Sequence, residues 1–470
     1  MRWIVEHSIK GRFIVLALAA ALMYFGYAQL SEMPVDAFPE FAPPRVEIQT
    51  EAPGLSTAET EEILTIPLEE VLAGTPGLDV MRSKTVPALS QILLIFEPGT
   101  DIFEARQLVD ERISTVNLPS AIAVPRMLPP LSSTSRAMFV SMSSDEVDLI
   151  QMSQTAFWIV RPRLMGIPGV ANVAIWGERL HHIQVQVEPE LLRTYDVSFD
   201  DVMNVTAESL EVGILPYSES SEPGTGGWIE SGDQRYAVSN ILPISTPEDL
   251  AQVAVYDNRK TDGTPLLLGD LGHVVLSYPP LIGDAVINDG EGLLLIVEKF
   301  PWGNTLDVTR EVEATLAELQ PGLSGIEIDT TIFRPATFIE LSIDNLSEAM
   351  LLAGAFVIVV LFLFLFEWRV ALISVVAIPL SLMAAMMVLN LFGASINVMI
   401  LAGLVIAIGA VVDDAIIDVE NIVRRLRQHL TEGGDRSTAA IVVEASLEVR
   451  GAIVYATLIE IVAVTPVLFL

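Results

Sequence analysis

Cysteine is missing from all 470 positions of the sequence. No disulfide framework and no thiolate metal site can be built, so any soft-metal ligand would come from methionine or from the five histidines. Lysine is nearly missing too, with only Lys10, Lys84, Lys260 and Lys299 present. With 26 basic against 60 acidic residues, a net charge of -34, the chain lacks the positive surface that nucleic acid requires. The acidic excess can gather cations, and it equally suits a solvated surface in saline surroundings. There is no Walker-type phosphate loop, catalytic triad or HExxH motif, and so no support for direct ATP use or for the common hydrolytic chemistries. Apolar residues are plentiful instead, at 51% of the chain with a mean hydropathy of +0.51. That balance describes a membrane protein with a large soluble portion.

Arg2, Lys10 and Arg12 precede an apolar run from Phe13 to Leu30. The run is long enough to span a bilayer and no small-residue cleavage site follows, so it reads as an uncleaved first span with a cytoplasmic N-terminus. The next apolar runs are Ala349–Phe366, Val370–Phe392, Ile396–Val419 and the start of a fifth at Ile453–Leu470. Alternating crossings put Arg424, Arg425, Arg427 and Arg436 in the cytoplasm, as the positive-inside rule demands.

Between the first and second spans the pattern is mixed α/β. Strand-like Arg45–Thr50 leads to an amphipathic helix Ser56–Ala73, opened by a Ser56/Glu59 capping box. Strands Asp79–Ser83 and Leu89–Phe96 and a helix Asp101–Val116 follow, giving the β-α-β-β-α order of ferredoxin-like domains. The order then recurs. Met138–Met142 is a strand, Leu149–Leu164 a helix, and Ala171–Trp176 and His182–Val187 a strand pair. After an interruption come strand Leu293–Lys299, helix Thr305–Leu319 and strand Ile326–Thr331. The interruption, Leu191–Asp289, holds a helix Ser198–Leu210, a Gly/Ser/Pro-rich loop Tyr217–Gly227 and short strands such as Gln234–Val238. Met138, Met142 and Met152 are expected in core packing. His181 and His182 are expected to point to opposite faces of a strand, which argues against joint metal ligation.

The chemistry concentrates in Leu401–Asn421, which is apolar like a membrane helix yet carries Asp413, Asp414, Asp418 and Glu420. An ionised carboxylate at mid-bilayer costs about 2.5–3.5 kcal/mol, so such residues face a bundle interior or a watered path where protons or cations bind and leave. Asp413 and Glu420 fall within about 20° of each other on one helix face, and Asp414 and Asp418 share a second face. Met383, Met386, Met387 and Met399 form a candidate relay for a soft cation, with ordinary helix packing as the plainer reading.

The segments PVDAFPEF (Pro34–Phe41), VEIQTEAPGLS (Val46–Ser56), TDIFEARQLVDERI (Thr100–Ile113), RPRLMGIPGVANV (Arg161–Val173) and GAVVDDAIIDVENIVRRL (Gly409–Leu426) resemble the resistance–nodulation–division (RND) efflux transporters. They are most like the inner-membrane permease subunit of the heavy-metal efflux branch, N-terminal half only. The resemblance implies a membrane α-helical bundle plus an α+β periplasmic domain, with ferredoxin-like porter subdomains and a docking-type insert. The implied division is 1–32 first transmembrane helix, 33–135 first porter subdomain, 136–190 and 290–335 second porter subdomain, and 191–289 docking-like insert. Transmembrane helices two to four then occupy 336–426, a cytoplasmic loop and helix 427–450, and the start of a fifth span 451–470. Asp413 is implied as principal proton carrier, Asp414 and Glu420 as members of the relay, and Asp418 as a further candidate. The Asp413–Asp414 pair is similar to the drug and amphiphile branch, and Ala407 stands where some metal pumps carry an acid.

Expected partners are a periplasmic adaptor, an outer-membrane channel, membrane lipid, two further copies in a homotrimer, and a C-terminal half or second subunit. The proton gradient is the expected energy source and no cofactor is called for. Multidrug export and a non-pumping protein-translocation accessory are the alternatives. An N-terminal tag at the native locus, read by denaturing immunoblot of membranes, decides between two outcomes: a band at roughly twice the 51.1 kDa of this sequence would mark a longer chain on which the pump mechanism should be tested. A band near that mass would mark a half-transporter in need of a partner subunit.

Overall fold

The computed structural model describes residues 2–30, 33–52, 54–118, 124–131, 133–211, 228–237, 244–260, 262–279, 281, 283–365, 368–432 and 436–466. The loop expected at Tyr217–Gly227 lies outside them.

Alternation of apolar and polar residues builds the first sheet. Strands β1 (Arg45–Glu51), β2 (Leu78–Val86), β3 (Leu89–Phe96) and β4 (Arg126–Met127) pair antiparallel in the order β2-β3-β1-β4. Val46 and Ile48 of β1 and Ile92, Leu94 and Phe96 of β3 point to one side. There they meet Leu68 and Leu72 of one helix and Ala105, Val109 and Ile113 of the helix Ile102–Ile113. The helix starts where the sequence dictates, because the Asp101 carboxylate accepts from the N–H groups of Phe103 and Glu104.

The second sheet repeats this plan. It runs Glu327–Phe333, β5 (Arg136–Ser143), Leu293–Lys299, β6 (Val170–Trp176), the same connectivity as the first sheet with strands two and three separated by the insert. Met138, Met142 and Met152 are buried in its core with Leu293, Leu295, Val308 and Val312. The duplication extends to a local irregularity. In each subdomain the first helix widens to a π-type turn, at Glu61–Thr65 and at Ala156–Val160, directly before Pro67 and Pro162. A proline inside a helix removes an N–H and crowds the preceding turn, and a wider turn relieves both.

One expected pairing differs. His182–Val187 does not join β6 but forms an antiparallel pair with Gly272–Ser277, in register from His182/Ser277 to Val187/Gly272. It therefore packs with the insert, whose core includes Val197, Val202, Leu250, Val255, Leu266 and Leu271. The chain crosses from β6 into this unit at Gly177 and returns at Gly292. Gly177 has φ +83°, and a Cβ there would sit 2.7 Å from the Gly292 carbonyl oxygen.

The apolar runs form the helices Arg12–Leu30, Pro335–Leu365, Trp368–Leu391, Val398–Glu432 and Thr438–Val464. Among the described residues, Arg12–Leu30 and Val398–Glu432 are long and apolar enough to cross a membrane, and Val375–Leu391 is a shorter apolar stretch. The Arg12–Leu30 helix packs on Trp368–Leu391 through Gly26, where an added Cβ would meet the Met383 side chain at 3.0 Å. The last helix begins at Thr438, earlier than the apolar run suggested, because Ser437 caps it through the Ala440 N–H.

Soluble and apolar parts meet at a buried joint. Ala37, Leu306, Ala336 and Ile339 pack together, flanked by Val35 and Ile343. Beside them the fully buried Lys299 ammonium pairs with Asp36 at 2.8 Å. Removing one partner of such a pair costs about 3–5 kcal/mol, since it strands a charge in a dry site.

Gly177→Ala is expected to destabilise the fold by about 1–3 kcal/mol, through left-handed backbone strain together with the clash at the neck. Thermal unfolding of the purified chain measures it, and an unchanged midpoint would contradict the neck assignment.

Candidate functional site

The acid-bearing stretch is one unbroken helix, Val398–Glu432. Asn397, almost fully buried, starts it by accepting the Ile400 N–H at 3.0 Å and donating to the Ser395 carbonyl at 3.0 Å. Continuity preserves the helical spacing, so Asp413 and Glu420 lie on one face of the backbone and Asp414 and Asp418 on another. The Asp413 side chain lies outside the described residues. Asp414 is half-buried and Glu420 is exposed.

Asp418 stands apart from the other acids. Its carboxylate accepts from the Arg450 guanidinium at 3.2 Å and from the Ser446 hydroxyl at 3.4 Å, both on the neighbouring helix Thr438–Val464. Arg450 also donates to Ser446 at 3.0 Å, closing a three-residue cluster between the two helices. Sequence reasoning did not anticipate this partner. A single arginine just ahead of the apolar run GAIVYATL was the available signal, since a charge in that setting needs a mate. One turn further, buried Asn421 donates to the Ala445 carbonyl at 2.7 Å, and Arg425 pairs with Glu448 at 2.6 Å. These contacts clasp the two helices together beyond the acid pair.

Met383, Met386 and Met387 lie on the helix Trp368–Leu391 and Met399 on Val398–Glu432. Met383 packs against Gly26, Met386 is buried, and Met399 is exposed on another helix. His181 and His182 bond to different glutamines, Gln154 and Gln184. Among the described residues no three His, Asp or Glu side chains are arranged to hold a metal ion.

Acids of the second subdomain and of the first sheet lie close enough to interact. Glu298 sits on the central strand of the second sheet and accepts from Asn172 at 3.0 Å. Burial pushes its carboxyl above the usual range; the Asn172 hydrogen bond, Arg136 and Arg45 pull it down, and Glu47 of the first sheet adds to the rise. Glu178 is raised as well, first by burial, with Arg161 opposing and Glu51 of the first sheet adding to the rise. Each of these acids thus has burial as the main cause of its raised value and an acid of the first sheet as a further one.

Two sheets of one topology, an inserted unit and a set of apolar helices with an acid-bearing member define the resistance–nodulation–division permease fold. The chain belongs to the AcrB/AcrD/AcrF family, whose family model matches residues 4–470. It is 29% identical over 481 residues to the cation efflux system protein CzcA of Alcaligenes sp. strain CT14. It is 30% identical over 479 residues to the cation efflux system protein CusA of Escherichia coli K12. Each alignment covers 99% of this chain and 44% of the relative. A crystal structure of a heavy metal efflux pump superposes with a TM-score of 0.80 at 27% identity, over 98% of this chain and 44% of that one. The chain thus spans less than half the length of these relatives.

A raised Glu298 keeps its proton in the native state at pH values where the unfolded chain has released it. Stability therefore falls as pH rises from the ordinary carboxylate value to the raised one. Glu298→Gln is expected to flatten that fall, measured as thermal midpoint against pH from acidic to neutral. An unchanged slope would remove Glu298 from the account.

Proposed function

We propose that this chain supplies the N-terminal half of a proton-driven efflux permease of the bacterial inner membrane, exporting heavy-metal cations from the cell envelope. The observation that carries the reading is the unbroken helix Val398–Glu432, apolar yet holding Asp413, Asp414 and Glu420, beneath a two-sheet region alike over its whole length to a heavy metal efflux pump. Secondary antiport follows from the chemistry. Protonating Asp413 removes a charge whose presence in the apolar layer costs about 2.5–3.5 kcal/mol, so proton occupancy biases how that helix packs. Asp414 and Glu420 extend the path for the proton along adjacent turns. Asp418, held by Arg450, fixes the neighbouring helix and takes less part in the relay.

In this reading the two sheets are porter subdomains, over 33–135 and over 136–190 with 290–335, that open and close by rigid-body motion. The unit within 191–289 is a docking domain. The helices over 336–426 and the segments 427–450 and 451–470 form half of the membrane bundle with the first helix, 1–32. A homotrimer working with a periplasmic adaptor and an outer-membrane channel completes the assembly. The names of the relatives favour cations as cargo, and the Asp413–Asp414 pair favours amphiphiles as the second reading.

Asp413→Asn in the complete protein is expected to abolish export. Cell-associated zinc, cobalt, cadmium and nickel, measured in a host stripped of its own exporters, should rise to the level of the empty host. Metal export at the unmodified rate would overturn the assignment. A rise in drug susceptibility with unchanged metal content would favour the amphiphile reading.

A further inference from the structure

A short series of contacts connects the acid-bearing helix to the second sheet without passing through the helix Pro335–Leu365. It starts at Asn397, the cap of the acid-bearing helix. Next to it, Ile396 donates its N–H to the Pro34 carbonyl at 2.8 Å and accepts the Asp36 N–H at 2.9 Å. Val35 and Ile396 form an isolated parallel bridge there. The Asp36 carboxylate then accepts three hydrogen bonds, from the Ala37 N–H at 2.7 Å, the Thr134 hydroxyl at 2.9 Å and the Thr305 hydroxyl at 3.0 Å, and forms an ion pair with the Lys299 ammonium at 2.8 Å. Lys299 ends the central strand Leu293–Lys299, and its N–H donates to the Ser135 carbonyl at 2.7 Å. Thr305 opens the helix Thr305–Leu319, and its N–H donates to the Val35 carbonyl at 3.1 Å.

Three structural parts thus share one carboxylate: the exit from the first helix, the linker between the sheets, and the second subdomain through both a strand end and a helix start. The backbone of the same residue is bonded to the start of the acid-bearing helix. A second tie, Arg334 to Glu313 and Glu340, joins the second subdomain to Pro335–Leu365, but its side chains reach solvent. Ion pairs in water open and re-form at little cost. The Asp36–Lys299 pair has no such freedom, because parting it leaves two charges in a dry site.

We infer that Asp36 is a positioning residue that locks the second subdomain to the start of the acid-bearing helix, so that the two move as one body. The inference rests on the reading of the chain as a proton-driven permease. A shift in the helix Val398–Glu432 on protonation is then delivered directly to the second sheet, and the first sheet moves relative to both. The separation of Glu298 and Glu47, one on each sheet, changes as a result.

The test uses the complete protein reconstituted in lipid vesicles, with spin labels at Phe392→Cys and Glu311→Cys, which are exposed positions on either side of the joint. The unmodified joint is expected to give one narrow label-to-label distance, the same with and without a proton gradient. Asp36→Asn and Lys299→Met are expected to reduce the amount of folded protein, each leaving a lone buried charge. The double variant Asp36→Asn/Lys299→Met should restore that amount, yet show a broad distance distribution and export of zinc or cobalt reduced about ten-fold, within the usual range for loss of coupling. A narrow distance in the double variant, or full export with it, would overturn the inference. An unmodified protein that moves neither metal nor amphiphile would instead refute the permease reading, and the distance measurement would still decide the joint.

Discussion

The ion pair between Asp36 and Lys299 is the constraint on which the arrangement of soluble and apolar parts depends. It joins groups that local structure alone would never bring together, one just beyond the first apolar helix and the other at the end of a central strand. Burial is what gives it directional force. In water the pair would be worth little, but once its surroundings are dry every alternative geometry leaves a desolvated charge without compensation. The neighbouring threonines add hydrogen bonds that point at the same oxygen atoms, and the joint acquires a single arrangement.

Around that joint the molecule is built by repetition. Each subdomain uses a β-α-β-β-α-β path to cover one face of a four-stranded sheet with two helices. The opposite faces carry Glu47 on the first sheet and Glu298 on the second, and burial of Glu298 raises its carboxyl above the usual range. The repeated π-type turn before Pro67 and Pro162 shows that even a backbone irregularity follows the same rule in both copies.

Much of this was legible from the residues. Alternation in RVEIQT, the capping box at Ser56 and the aspartate at Asp101 mark a strand and two helix starts, since those signals act between near neighbours in sequence. The acid pair on Val398–Glu432 was legible because charge in an apolar helix is rare. Strand partners were not. His182–Val187 alternates in the same way whichever neighbour it joins, and its choice of Gly272–Ser277 is a matter of tertiary packing. Arg450 as the mate of Asp418, and Lys299 as the mate of Asp36, were hidden for the same reason. The separation of 269 positions between Asp36 and Thr305 leaves no periodic trace. Lys299 did offer one clue, a rare lysine closing the apolar strand LLLIVEK.

The 35-residue helix Val398–Glu432 has a further consequence, which follows from its length. At 1.5 Å per residue it extends about 52 Å, well beyond the roughly 30 Å of a hydrocarbon layer. Such a rod has an end that stands clear of the bilayer, with Arg425 and Arg427 on it. Because Arg425 is paired there with Glu448 of the helix Thr438–Val464, the projecting end is not a free rod: a change of tilt in one helix is handed to the other at a point outside the hydrocarbon layer.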